Sequence, residues 1–128
     1  LQEGTDVVLV GTGQLVGRTI DAGKKLAAKG VKACVIANPF VNQVDVATIG
    51  AAVQAAGGRL VTIEDHQVIG GMGAQLSHAL SRAGISHRVT SLAIPGEFGQ
   101  SAYVAEHLYQ KYGLTADGLV AAAEALLK

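Results

Sequence analysis

Glu64, Asp65 and His66 stand side by side at the end of the β-branched run Arg59-Leu-Val-Thr-Ile63, and Gly70-Gly71-Met72-Gly73 follows closely. Two acids beside a histidine have the right chemistry to exchange protons with a substrate or to hold a divalent ion. Closely set glycines ahead of an amphipathic segment can turn backbone N–H groups toward an anion. A second constellation is Gly11-Thr12-Gly13, with Gly17 beyond it, behind the apolar run Val7-Val-Leu-Val10. That order of strand, glycines and helix is the layout of a dinucleotide-binding turn, in a loosened spacing. Ser101, after Phe98-Gly99-Gln100, is a further hydroxyl in a glycine-bearing stretch.

Each of these has a structural reading as well. Neighbouring residues on a strand point to opposite faces, so Glu64 and Asp65 are expected not to converge on one ion. His78, His87 and His107 fall at spacings that make no His-x-x-x-His pair. The preferred reading of Glu64 is that its carboxylate accepts hydrogen bonds from amides around Gly70–Gly73 and stabilises a helix start. Gly70, Gly71 and Gly73 then serve tight packing. The acid that would hold a ribose at the end of a second strand is missing, and Asn38-Pro39 stands there instead. A turn needing glycine conformations accounts for Gly11 and Gly13 without a ligand. Ser101 has no evident base nearby, and no Gly-x-Ser-x-Gly, P-loop or Cys-x-x-Cys word occurs.

The elements that must position these residues alternate. Strands are expected at Asp6–Val10, Val31–Ala37, Arg59–Ile63 and Arg88–Ile94. Helices are expected at about Leu15–Lys29, from an Asp45 cap to Gly57-Gly58, and at about Gly71–Ala83. Gly30 and Gly84 are natural helix ends. After Pro95-Gly96 two helices follow, about Ser101–Tyr112 and Ala116–Leu127, with Ser101 and Thr115 as N-caps and Gly113 between them. Four βα units with a helical tail describe an α/β domain, a three-layer α/β/α sandwich on a mostly parallel sheet. A fifth strand is expected in Leu92–Phe98 or near the start.

Composition narrows the class of protein. At 128 residues the chain suits one domain, large enough for a real core. It is 49% hydrophobic but only 4% aromatic, so Val, Ile, Leu and Ala must build that core. Ten basic and ten acidic residues leave no net charge. Without a basic cluster there is nothing to neutralise a row of phosphates, which argues against nucleic acid as a partner. No apolar run approaches the roughly 20 residues of a membrane-spanning helix. Cys34 is the sole cysteine and lies in an apolar run, so it is expected to be a buried small hydrophobe in a reducing, cytoplasmic setting. The start at Leu1 without methionine is read as a piece of something longer.

Ile63-Glu-Asp-His-Gln-Val-Ile-Gly-Gly-Met-Gly73 resembles a signature of the C-terminal domain of thiamine-diphosphate-dependent transketolases. Gly96-Glu-Phe-Gly-Gln-Ser-Ala102, Leu108-Tyr-Gln-Lys-Tyr-Gly113 and the opening Leu1-Gln-Glu-Gly-Thr-Asp-Val-Val-Leu-Val-Gly-Thr-Gly13 are similar to it as well. The first word is shared with 1-deoxyxylulose-5-phosphate synthase and, more loosely, with β subunits of 2-oxoacid dehydrogenases. The resemblance implies a mixed, mostly parallel five-stranded sheet. It implies a cytoplasmic parent of the pentose phosphate pathway that moves a two-carbon ketol unit between sugar phosphates, such as xylulose 5-phosphate and ribose 5-phosphate. In that family thiamine diphosphate and a magnesium or calcium ion are held by the other two domains at a homodimer interface. The chain has no Gly-Asp-Gly segment with its downstream Asn, so no catalytic, cofactor-binding or metal role is carried over. Glu64, Asp65, His66, Gly70, Gly71, Gly73, Phe98 and Ser101 are carried as structural or interface residues. The expected partners are the other two domains of the parent. The rival class is a small anion- or nucleotide-binding module at Gly11–Gly17 or Gly70–Gly73.

Overall fold

The computed structural model describes residues 1–128. Its sheet has four strands, β1 (Val7–Gly11), β2 (Ala33–Ala37), β3 (Arg59–Gln67) and β4 (Arg88–Ile94), in the order β2-β1-β3-β4. Every pairing is parallel, with Val8 opposite Cys34 on one side and Leu60 on the other. Parallel strands need a crossover, and helices α1 (Val16–Ala28), α2 (Val46–Ala55) and α3 (Met72–Arg82) supply them. Two more helices, α4 (Ala105–Lys111) and α5 (Ala116–Leu127), close the chain.

All five residues of β1 are buried, because helices cover both faces of the sheet. Alternation along the strands divides the core in two. Val7, Leu9, Val61 and Ile63 face α1 and α5, where they meet Leu26, Leu119 and Ala123. Val8, Val10 and Leu60 face α2 and α3 and meet Ile49, Val53, Met72, Leu76 and Leu80. This is the expected three-layer sandwich. Three ion pairs run between α1 and the last two helices: Arg18–Glu106, Lys25–Asp117 and Lys29–Glu124, each at 2.5 Å.

Helix ends follow local chemistry. Asp45 caps α2 by accepting from the Thr48 N–H, and Thr115 caps α5 by accepting from the Gly118 N–H. At the end of α1, Gly30 takes φ +80°, its N–H reaches the Ala27 carbonyl, and the Val31 N–H reaches that of Leu26. That paired closure uses Val31, which explains why β2 starts at Ala33 rather than at Val31. No helix is long and apolar enough to cross a membrane.

Several expectations need correcting. The sheet has four parallel strands, not a mixed set of five. The only antiparallel contact is a single bridge from Gln2 to Val35, too short to count as a strand. Leu92 belongs to β4 itself, and the chain leaves the sheet after Ile94. Ser101 does not cap a helix: α4 begins at Ala105 behind Val104, which offers no side-chain cap. Residues 97–104 are exposed throughout, so no buried face exists there to stabilise an earlier turn. β3 does not stop at Ile63 but continues to Gln67, because β4 resumes pairing at Ile94 across an irregularity in register. Cys34 is only half-buried, since β2 is an edge strand.

Candidate functional site

The extension of β3 places Glu64, Asp65 and His66 in the strand, where alternation sorts them. Glu64 turns to the α3 side and is completely buried. Its carboxylate accepts from the Met72 N–H at 2.5 Å and from the Gly73 N–H at 2.8 Å. Those are first-turn amides with no partner inside the helix. The anion-binding position at this helix start is therefore occupied by the chain's own carboxylate. The glycines make the arrangement possible. A Cβ on Gly71 would lie 2.5 Å from both the Gln67 carbonyl oxygen and Glu64 Oε2. One on Gly73 would lie 2.5 Å from Thr62 Oγ1 and 2.6 Å from Ser91 Oγ, where a hydrogen bond of 3.0 Å joins β3 to β4. Gly70 is in the left-handed region at φ +81°.

Asp65 turns to the opposite face. It accepts a hydrogen bond of 3.2 Å from the Tyr109 hydroxyl of α4. His66, about half exposed, sits with Nδ1 3.4 Å from Glu64 Oε2 and 3.8 Å from Asp65 Oδ1. Between the ends of β3 and β4 and helix α4 lies a cleft of about 280 Å³, lined by Asp65, Glu97, Phe98, Leu108, Tyr109 and Tyr112 among others. Glu97 accepts from the Tyr112 hydroxyl at 3.1 Å. Arg18 holds Glu106 and lies over the Tyr109 ring at 4.7 Å, and Lys111 lies over Tyr112 at 4.9 Å. Phe98 is fully exposed beside this cleft, and Ser101 is exposed in the segment that leads to α4.

Burial, and then the Asp65 charge and hydrogen bond, push the Tyr109 phenol above its ordinary range. A raised pKa favours the neutral form in the folded state. The associated stability is fully present below the unfolded tyrosine value of about 10 and is lost as pH climbs through the folded value. Tyr109→Phe loses the hydrogen bond to Asp65 and should be less stable than the parent at neutral pH, with the gap narrowing under alkaline conditions as the parent's phenol ionises. Urea denaturation of both proteins across that range tests this, and a gap independent of pH would count against it.

The other glycine turn is filled as well. Sheet order reverses direction between β1 and β3, the place where open α/β sheets usually leave a crevice. Here the short turn Gly13–Leu15 closes it, with Leu15 buried in the same cluster as Leu9 and Ile63. A Cβ on Gly11 would meet Thr19 Oγ1, so this glycine admits a helix side chain rather than a phosphate. One pair escaped the sequence reading: Ser77 Oγ lies 2.8 Å from His87 Nε2, and His87 Nδ1 lies 2.9 Å from the Ile85 carbonyl oxygen. That geometry orients the histidine, but the amides of Gly84, Ile85 and Arg88 are already bonded within the chain.

Residues 1–119 match the model of the family described as transketolase, C-terminal domain. The chain belongs to the transketolase C-terminal domain family. It is 35% identical over 127 residues to 1-deoxy-D-xylulose-5-phosphate synthase of Symbiobacterium thermophilum, covering 99% of this chain and 19% of that protein. It is 33% identical to one of the subunits of apulose-4-phosphate transketolase from Phocaeicola vulgatus, covering 93% of this chain and 37% of that polypeptide. A solved split-gene transketolase, described as an inactive beta4 tetramer, superposes with a TM-score of 0.89 at 32% identity, covering 98% of this chain and 40% of that one.

Members of this family come from thiamine-diphosphate-dependent enzymes, whose cofactor and metal need a particular set of donors. No three His, Cys, Asp or Glu side chains are grouped to hold an ion. Glu64, the most buried acid, already has two amide donors. The donor set of this transketolase C-terminal domain does not fit a diphosphate–metal centre, and no step of the thiamine reaction is assigned to it.

Proposed function

We propose that residues 1–128 are the assembly section of a longer, thiamine-diphosphate-dependent transketolase. The section packs against the domains that hold cofactor and metal and helps to hold the dimer. The parent would transfer a two-carbon ketol unit between sugar phosphates, in the cytoplasm and within the pentose phosphate pathway. Glu64, Gly70, Gly71 and Gly73 shape the docking face from within, and Asp65, His66, Phe98 and Ser101 lie on it. The observation that carries this reading is the Glu64 carboxylate on the first amides of α3. The most ligand-like word in the sequence is satisfied inside the fold. Likeness to a split-gene chain described as inactive supports it further.

A second reading, the same section of a 1-deoxy-D-xylulose-5-phosphate synthase, is favoured by the relatives of that name. Reconstitution with the cofactor-binding section tests both. Neither part alone should turn over, and the mixture should. Formation of 1-deoxy-D-xylulose 5-phosphate, rather than ketol exchange between sugar phosphates, would select the second reading. Calorimetry on the chain alone should give no heat with thiamine diphosphate. Binding in the micromolar range would overturn the assembly role.

A further inference from the structure

The chain has only five aromatic residues, and four of them, Phe98, Tyr103, Tyr109 and Tyr112, fall between β4 and the residue that closes α4. Phe98 and Tyr103 are 98% and 104% exposed, and Val104 is 51% exposed. Large apolar side chains gathered in water on one segment mark a contact surface, and aromatic anchors dominate such surfaces.

Beside Phe98 is the cleft of about 280 Å³, whose walls combine tyrosine rings with the carboxylates of Asp65 and Glu97. Both acids are bonded by neutral tyrosine hydroxyls. Glu97 has Lys111 at 3.8 Å, but Asp65 has only His66, also at 3.8 Å. Arg18 is drawn off by Glu106. No lysine or arginine pairs with Asp65, so although Arg18 and Lys111 each cover one face of a tyrosine ring, the Asp65 carboxylate faces the cleft without a lysine or arginine of its own. The chemistry that answers it is a flat cation able to lie on a ring and bridge carboxylate oxygens. Guanidinium does both and sheds water more readily than ammonium.

We infer that this cleft seats an arginine side chain presented by a neighbouring domain of the assembled enzyme, with Phe98 gripping the segment that carries it. The inference rests on the assembly role proposed above and names the contact through which it acts. A protein occupant fits better than a free amine, because exposed apolar anchors beside the cleft bury nothing against a small solute.

Titration of the ¹⁵N-labelled chain with N-acetylarginine methylamide, followed by NMR, tests the cleft directly. Saturable shifts are expected at Asp65, Gln67, Gln100, Tyr109 and Tyr112. The neutral citrulline counterpart should bind at least about tenfold more weakly. The same loss is expected for the arginine compound with the Asp65→Asn, Glu97→Gln double variant, which keeps acceptors for both tyrosines. An equal response to both compounds, an unaltered double variant, or no saturable response overturns the inference. For the protein source, an Asp65→Lys, Glu97→Lys variant should join the cofactor-binding section at least about tenfold more weakly than wild type. Equal joining overturns the arginine contact and leaves the assembly role intact. Failure of the wild type to join overturns the assembly role, and the titration alone then decides whether the cleft takes guanidinium.

Discussion

Glu64→Ala is expected to lower stability by about 3–5 kcal/mol, from two buried amides left without acceptors and the void left behind. Nothing else is placed to replace the carboxylate, since Glu64 is fully buried and receives both the Met72 and the Gly73 N–H. Glu64→Gln keeps the volume and one acceptor oxygen, so its loss should be smaller, about 1–2 kcal/mol. Urea denaturation of the three proteins measures this. A Glu64→Ala protein as stable as the parent would mean that the helix start is held by something other than this side chain.

Gly71→Val is the second large effect, at about 1–3 kcal/mol. The backbone at Gly71 has φ −72°, open to any residue, so the cost is steric and not conformational. Its Cβ would stand 2.5 Å from the Gln67 carbonyl oxygen and from Glu64 Oε2. The first of these is backbone and cannot swing away. The second disappears in Glu64→Ala, so the two substitutions together should cost less than the sum of each alone. Calorimetric melting of both single variants and the double variant tests the coupling. Strict additivity would show that Gly71 and Glu64 do not share a space.

Much of this architecture could be read from the chain beforehand, because it depends on local signals. Gly30 and Gly84 end helices through φ near +80° and +72°, a conformation that few other residues take readily. Asp45 and Thr115 declare helix starts by their side-chain oxygens. Alternation gave the separation of Glu64 from Asp65 as soon as both lay in one strand. What could not be read depends on distant partners. The extension of β3 to Gln67 requires Ile94 of β4 to be opposite it. Ser101 has the chemistry of a cap but no apolar face behind it, so α4 waits until Ala105. The bond from Tyr109 to Asp65 spans 44 positions.

The three ion pairs along α1 have a polarity worth following. Every cation, Arg18, Lys25 and Lys29, comes from α1 or the residue that closes it, and every anion, Glu106, Asp117 and Glu124, comes from the tail. Exposed pairs of this kind add little strength, and the buried residues between the helices carry the packing. A chimaera that swapped the tail for one of reversed sign would bring like charges face to face at three rungs, a modest penalty against the buried Leu26, Leu119 and Ala123 that still hold the two strips to one core.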